Sequence, residues 1–163
     1  MQNLRLRVKT PVYIRVAKRG EPVIHKNEIK SITKPIIIRE GDGIAVLFHG
    51  SIGDEVMKAL ENLEKFPMVI SIPMIQPLDF DFLLEKLKNI HTLLTVEEHF
   101  VEGGLGTVMS EWIIREKLHF RLQKLGLKNE FIHLVRDCKG IRQHYGISSD
   151  KIKETIQETF RNR

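Results

Sequence analysis

The sequence predicts an α/β domain whose open, mostly parallel sheet is covered by helices on both faces. From residue 34 onward, short apolar runs alternate with segments whose apolar residues recur at helical spacing. Repeated strand–helix units of this kind build parallel sheets. Several runs are apolar without interruption, which is typical of strands buried on both faces. A chain of 163 residues is long enough to bury one proper core of this type.

The first half of the domain contains three predicted strands and one helix. Residues 35–38 form a short apolar strand, and residues 44–48 form a continuous apolar one. Ser51 then opens a helix, with Asp54 three residues later completing an approximate capping box. Residues 68–72 form the third strand. The alternation of strands and helices is therefore under way by the middle of the chain.

The second half continues the same alternation. Residues 77–79 cap a helix, residues 92–96 form a fourth strand, and a third helix covers residues 106–117. Residues 120–125 form a fifth strand. Polar and short helical pieces follow, and the chain closes with an amphipathic helix at residues 149–160.

The N-terminal quarter differs from the rest in pattern and in charge. Residues 11–16 alternate apolar and polar side chains as a strand does, whereas residues 17–33 have the composition of a linker. Residues 1–39 hold ten Lys or Arg against two Glu, a balance of +8; residues 40–163 hold sixteen against nineteen, a balance of −3. This clustering favours an anionic small molecule or an acidic partner surface.

Composition disfavours several classes of function. Nucleic-acid binding would need aromatic residues among the basic ones, and Tyr13 is the only aromatic residue in the first 39. No apolar run reaches the roughly 20 residues of a membrane span, and we expect no signal peptide. Cys138 is the only cysteine, so an intrachain disulfide is impossible. We therefore expect a cytoplasmic protein with neither nucleic acid nor membrane as a partner.

The candidate site lies where the fourth strand leads into the third helix. Glu98 and His99 end the apolar run, and Gly103, Gly104 and Gly106 follow before the helix. Ligands gather at the carboxyl ends of strands in such sheets, and glycines before a helix can cradle a phosphate. However, the spacing matches neither Gly-x-Gly-x-x-Gly nor a P-loop. The steric alternative, in which glycines allow positive φ and close helix–strand approach, is favoured.

Other catalytic chemistries find little support in the residue spacing. No histidine pairs with a second His or Cys at ligand spacing, so we expect no metal site. Cys138 lies in a polar stretch and is interpreted as a bystander. Ser51 follows a strand without the pattern of a nucleophile elbow, so its expected role is to cap the next helix.

Five stretches of the chain together resemble one family. In order, they read "PVYIRVAKRG", "GIAVLFHGSIGDEVMKALENL", "ISIPMIQPLDFDFL", "LLTVEEHFVEGGLGTVMSEWI" and "YGISSDKIKETI". They resemble the C-terminal end of transketolase-type thiamine-diphosphate enzymes. The most similar subfamilies are transketolases with a separate C-terminal subunit and 1-deoxyxylulose-5-phosphate synthases. The resemblance covers about residues 10–160, which is nearly the whole chain.

The resemblance implies a three-layer α/β/α domain at residues 34–163. Its five-stranded, mostly parallel sheet would have an antiparallel first strand at residues 35–38. Residues 1–33 would be the end of the preceding pyrimidine-binding domain plus a linker. In such enzymes other domains bind thiamine diphosphate and Mg²⁺, so this chain alone is expected to bind neither. The missing diphosphate- and pyrimidine-binding domains or subunit are the implied partners, in a homo- or hetero-oligomer.

The resemblance also implies roles for individual residues. Arg15 matches an arginine that touches the substrate phosphate or hydroxyls near the cofactor cleft, and a solvated edge-strand charge is the alternative. Glu98, His99 and the glycines after them are interpreted as a structural or interface loop, so no residue of this chain is assigned as catalytic. Two functions stay open. One is part of a transferase that moves a two-carbon ketol unit between sugar phosphates; the other is a non-catalytic assembly or regulatory module of the same fold.

Overall fold

The structure of the protein is a computed structural model that describes residues 22–162. The strand predicted at residues 11–16, which contains Arg15, lies outside this range, as does the first part of the predicted linker. The predictions made for those residues therefore stay predictions.

The described residues contain a five-stranded sheet in the order β1-β3-β2-β4-β5. The strands are β1 Ile36–Arg39, β2 Gly43–His49, β3 Met68–Ser71, β4 Ile90–Phe100 and β5 Arg121–Leu127. Strand β1 pairs antiparallel with β3, and the other neighbours pair in parallel. The predicted mostly parallel sheet with an antiparallel first strand is confirmed.

Helices cover both faces of this sheet. They are α1 Gly53–Ala59, α2 Phe80–Lys86, α3 Leu105–Arg115, α4 Cys138–His144 and α5 Ser149–Arg161, with a 3₁₀ turn at Gly50–Ile52 before α1. Side chains from α2 and α3 build one hydrophobic core, and side chains from α1 and α5 build the other. The predicted three-layer architecture is therefore confirmed. In the part of the chain that the structure describes, no helix is long and apolar enough to cross a membrane.

Strand β2 shows why its sequence is apolar without alternation. Ala45 and Leu47 belong to the core under α2 and α3, whereas Val46 and Phe48 belong to the core under α1 and α5. Successive strand residues point to opposite faces, and both faces of this central strand are covered. Each fully buried side chain of the size of Val, Leu or Phe contributes about 1.5–3 kcal/mol. The strand is thus a shared wall of both cores.

The two predicted helix caps have opposite outcomes. Asp79 caps α2 as predicted, because its carboxylate accepts the backbone N–H of Phe82 at 2.9 Å. The prediction for Ser51 is wrong, since α1 begins at Gly53 and no side chain caps it. The Ser51 hydroxyl instead donates to the Glu98 carboxylate at 2.7 Å. A hydrogen bond to a charged acceptor is stronger than one to a neutral acceptor, which favours the long-range partner.

Candidate functional site

The candidate site lies where β2 and β4 end side by side. The two strands are parallel neighbours, and His49 lies opposite Glu97 in register. Strand β4 continues to Phe100, further than predicted, so Glu98 and His99 lie on the strand itself. Because consecutive strand residues point to opposite faces, the two glutamates contact different helices.

Glu97 is fully buried at the start of α3. Its Oε2 accepts the N–H of Leu105 at 2.8 Å, and its Oε1 accepts the N–H of Gly106 at 2.9 Å. These donors belong to the first helical turn, where N–H groups have no partner within the helix. The positive end of the helix dipole also favours a carboxylate at this position. The chain thus supplies its own anion to the N-terminus of α3.

The glycines that precede α3 fit closely around this carboxylate. A Cβ atom on Gly104 would lie 1.8 Å from Glu97 Oε2, although φ at Gly104 is −95° and thus open to any residue. Gly103 has a φ of +84°, in the left-handed region that favours glycine. Gly104 is therefore required because the Glu97 carboxylate approaches so closely, whereas Gly103 is required because of its backbone conformation. The Glu97 carboxylate fills the place that a bound phosphate would take, so the loop does not fit a phosphate cradle.

Glu98 lies on the opposite face and joins three elements. Its Oε2 accepts from Ser51 Oγ at 2.7 Å, and Arg142 donates from Nε and Nη2 to its two oxygens, each at 2.9 Å. Burial disfavours the charged form, but the hydrogen bonds from Arg142 and Ser51 outweigh it and lower the pKa of Glu98 below its ordinary 4.5. The paired fork geometry of this contact fixes α4 against the end of β4.

Arg142 extends the same network to a second carboxylate. Its Nη1 lies 3.6 Å from Glu55 Oε1, and Glu55 Oε2 accepts the backbone N–H of Ser149 at 2.8 Å. The hydrogen bond to Glu98 raises the pKa of Arg142, so the guanidinium stays charged. Glu55 lies in the first turn of α1, and Ser149 begins α5. The network therefore joins the ends of β4, α1, α4 and α5.

The two histidines at this edge do not form a catalytic pair with the glutamates. His49 Nδ1–H donates to the carbonyl of Ile72 at 2.7 Å, which fixes the tautomer. The His99 side chain is exposed and makes no hydrogen bond within residues 22–162. Its charge does contribute to the lowered pKa of Glu98. Within residues 22–162, neither ring forms a hydrogen bond to Glu97 or Glu98.

Metal-ligating side chains are not clustered in the part of the chain that the structure describes. Residues 22–162 contain no group of three or more His, Cys, Asp or Glu side chains that lie close enough together to hold a metal ion. The Mg²⁺ that accompanies a diphosphate is held by carboxylates together with phosphate oxygens.

The sequence analysis assigns no role to three residues that the site depends on. These are Glu97, Glu55 and Arg142. Glu97 is the only one of the three that lies next to a predicted candidate. Glu55 lies in the first turn of a helix, where acidic side chains are favoured, and this is only a weak sequence signal. Arg142 lies in a polar stretch without any motif, so no sequence signal could have identified it.

Comparison with known proteins places the sequence in a family. Residues 34–152 match the family described as transketolase, C-terminal domain. The chain belongs to the transketolase C-terminal domain family. Its predicted membership is confirmed, and the carboxyl-edge network is therefore part of a transketolase C-terminal domain.

Three relatives show how much of such a protein the chain covers. A subunit of the apulose-4-phosphate transketolase of Actinobacillus succinogenes is 31% identical over 146 residues, which are 87% of this chain and 47% of that protein. A Methanocaldococcus jannaschii protein described as a putative transketolase C-terminal section is 26% identical over 159 residues, which are 94% of this chain and 49% of that protein. The 1-deoxy-D-xylulose-5-phosphate synthase of Caldanaerobacter subterraneus is 28% identical over 156 residues, which are 93% of this chain and 25% of that protein. The chain spans about half of the first two.

Solved structures agree on the fold. A structure titled split gene transketolase, inactive beta4 tetramer, matches with a TM-score of 0.80 at 22% identity, covering 93% of this chain and 50% of that chain. Transketolase from Leishmania mexicana matches with a TM-score of 0.55 at 17% identity, covering 80% of this chain and 18% of that chain. At these identities the likeness concerns the fold alone.

Proposed function

We propose that this chain supplies the C-terminal domain of a thiamine-diphosphate-dependent, transketolase-type transferase. The complete enzyme moves a two-carbon ketol unit between sugar phosphates. One observation carries the proposal: the chain matches the C-terminal domain at residues 34–152, yet it spans only 47% of a relative that is itself named a subunit. The rest of the enzyme is then supplied by further domains or by another chain.

The partners in this proposal are the missing diphosphate- and pyrimidine-binding domains. They bind thiamine diphosphate and Mg²⁺, in a cytoplasmic homo- or hetero-oligomer that is a dimer in its simplest form. Residues 1–33 form the end of the pyrimidine-binding domain plus a linker, and residues 34–163 form the C-terminal domain. Arg15, which lies outside the described residues, contacts the substrate phosphate. This chain thus contributes to assembly and to one edge of the substrate cleft.

One observation favours a second function, a non-catalytic assembly or regulatory module. The carboxylates of Glu97 and Glu98 are both engaged by donors of the same chain. Acids that are bonded in this way hold elements together and are not poised to exchange protons with a substrate. The module would keep the fold and the partner contacts without taking part in catalysis.

Reconstitution distinguishes the two functions. A chain from the same genome that carries the diphosphate-binding part is co-expressed with residues 1–163, and the purified complex is assayed for ketol transfer from a ketose phosphate to an aldose phosphate. We expect activity only when both chains, thiamine diphosphate and Mg²⁺ are present, with each chain alone as the control. A stable complex that binds the cofactor but shows no ketol transfer would support the assembly module.

A further inference from the structure

The linker that precedes β1 is bound to the domain at both ends. We call residues 24–33 the docked linker. Near its start, His25 Nε2 lies 3.0 Å from Ser71 Oγ, at the end of β3. At its end, the carbonyl of Thr33 accepts the N–H of Asp79, the residue that caps α2. The middle of the docked linker therefore spans the edge of the sheet between two fixed points.

A cleft of about 540 Å³ lies between the docked linker and β1. Its apolar wall includes Ile29, Ile36, Ile38 and Met57, all of which are only half-buried. Strand β1 is an edge strand of the sheet, so no further strand of the described chain covers this wall. Small-molecule sites in proteins are mostly apolar clefts of about 300–1,000 Å³. The cleft has the size and the wall of such a site.

The rim of the cleft carries an excess of positive charge. Lys26, Lys30, Lys34 and Arg39 line it, against the single carboxylate of Glu28. None of these four cations forms an ion pair within the described residues. Lys34 and Arg39 instead lie over phenylalanine rings, at 4.4 and 3.5 Å from the ring centroids. A concave surface lined by one sign of charge concentrates ligands of the opposite sign.

We propose that this cleft binds a small amphipathic anion, in which a carboxylate, sulfonate or phosphate head is attached to an apolar body. The body contacts the isoleucine and methionine wall. The head meets Lys26 and Lys30, whose side chains belong to the docked linker. A bound ligand then holds the linker to the edge of the sheet. The proposal does not depend on thiamine diphosphate chemistry, so it can fail or succeed independently of the transferase.

The test uses 8-anilinonaphthalene-1-sulfonate as the probe, titrated into the full chain and followed by fluorescence and calorimetry. We expect one saturable site. The double variant Lys26→Gln/Lys30→Gln should weaken binding about tenfold, which corresponds to about 1.4 kcal/mol. The matched control Lys128→Gln/Lys139→Gln removes the same charge from exposed positions and should change affinity less than about twofold. Thermal unfolding of each variant checks that the fold is retained.

A neutral analogue separates the head from the body of the probe. N-Phenyl-1-naphthylamine lacks the sulfonate, so its affinity should be the same for the native chain and for both double variants. Amide chemical shifts measured by NMR should change in residues 24–39 when the sulfonate binds. Equal losses of sulfonate affinity in the two double variants would overturn the proposal. So would shift changes confined to other parts of the chain, or the absence of saturable binding.

Discussion

Gly104→Ala is expected to destabilise the fold by about 3 kcal/mol. The added Cβ would lie 1.8 Å from Glu97 Oε2 and 2.7 Å from its Cδ, so the buried carboxylate or the start of α3 must move. The two hydrogen bonds to the N–H groups of Leu105 and Gly106, now 2.8 and 2.9 Å long, then lengthen or break. Each hydrogen bond to a charged group contributes about 1.5–3 kcal/mol. The lower entropy of the unfolded alanine chain offsets about 0.4–1 kcal/mol of this loss.

Urea unfolding measures this effect directly. Trp112 is the only tryptophan; it lies in α3 and is 2% exposed, so its fluorescence reports on the helix that the substitution disturbs. Circular dichroism provides an independent probe of two-state behaviour. With a urea slope of about 2 kcal/mol per molar, a loss of 3 kcal/mol lowers the midpoint by about 1.5 M.

Two controls separate the proposed cause from a general effect of the loop. A Cβ on Gly103 meets no atom within 4 Å, so Gly103→Ala should cost only the roughly 1–2 kcal/mol of a left-handed backbone. In a Glu97→Ala background the obstructing carboxylate is absent. There, Gly104→Ala should cost less than about 0.5 kcal/mol more, because the two changes act on one contact. An equal cost of Gly104→Ala in both backgrounds would refute the reasoning.

Three further predictions concern charge and cofactor. The pKa of Glu98 is lowered in the folded chain, so its stabilising effect is present above the ordinary pKa and is lost as the pH falls through the folded value. Glu98→Gln should therefore weaken the pH dependence of the urea midpoint between about pH 6 and pH 3. The same pH dependence in the variant and the native chain would contradict this. In the reconstituted enzyme, Arg15→Ala should raise the KM for a phosphorylated acceptor about 10–100-fold. An unphosphorylated acceptor should be much less affected, and equal effects would assign Arg15 to folding or docking. Calorimetry of this chain alone with thiamine diphosphate and Mg²⁺ should show no binding, and a Kd in the low micromolar range, on the order of 1–10 μM, would disprove it.

The layered fold could be predicted because its signals are local. The run at residues 44–48 is apolar on both faces, and the run at residues 68–72 is apolar except for Ser71. The structure places them as the central strand β2 and its neighbour β3. The cap at Asp79 is equally local, since the acceptor and the donor are three residues apart. Periodicity alone does not give the direction of an edge strand. The antiparallel β1 was expected only through the resemblance to a known family.

The contacts of the candidate site could not be predicted because they join distant parts of the chain. Glu98 and Arg142 are 44 residues apart, and Glu55 and Ser149 are 94 residues apart. Ser51 has a local signal for capping, but the charged acceptor on β4 competes for its hydroxyl and prevails. The local pattern therefore suggested a helix cap for Ser51 and missed its partner on β4.

The carboxyl edge resembles an anion site in sequence because a helix N-terminus attracts an anion whether the anion is a ligand or a side chain. Here Glu97 is that anion, and the glycines before α3 make room for it. An anionic ligand must then bind where positive charge is not already neutralised. Residues 1–39 contain ten Lys or Arg and two Glu, and four of those ten cations line the cleft beside β1. We therefore expect small anions to bind beside the docked linker and not at the glycine-rich end of β4.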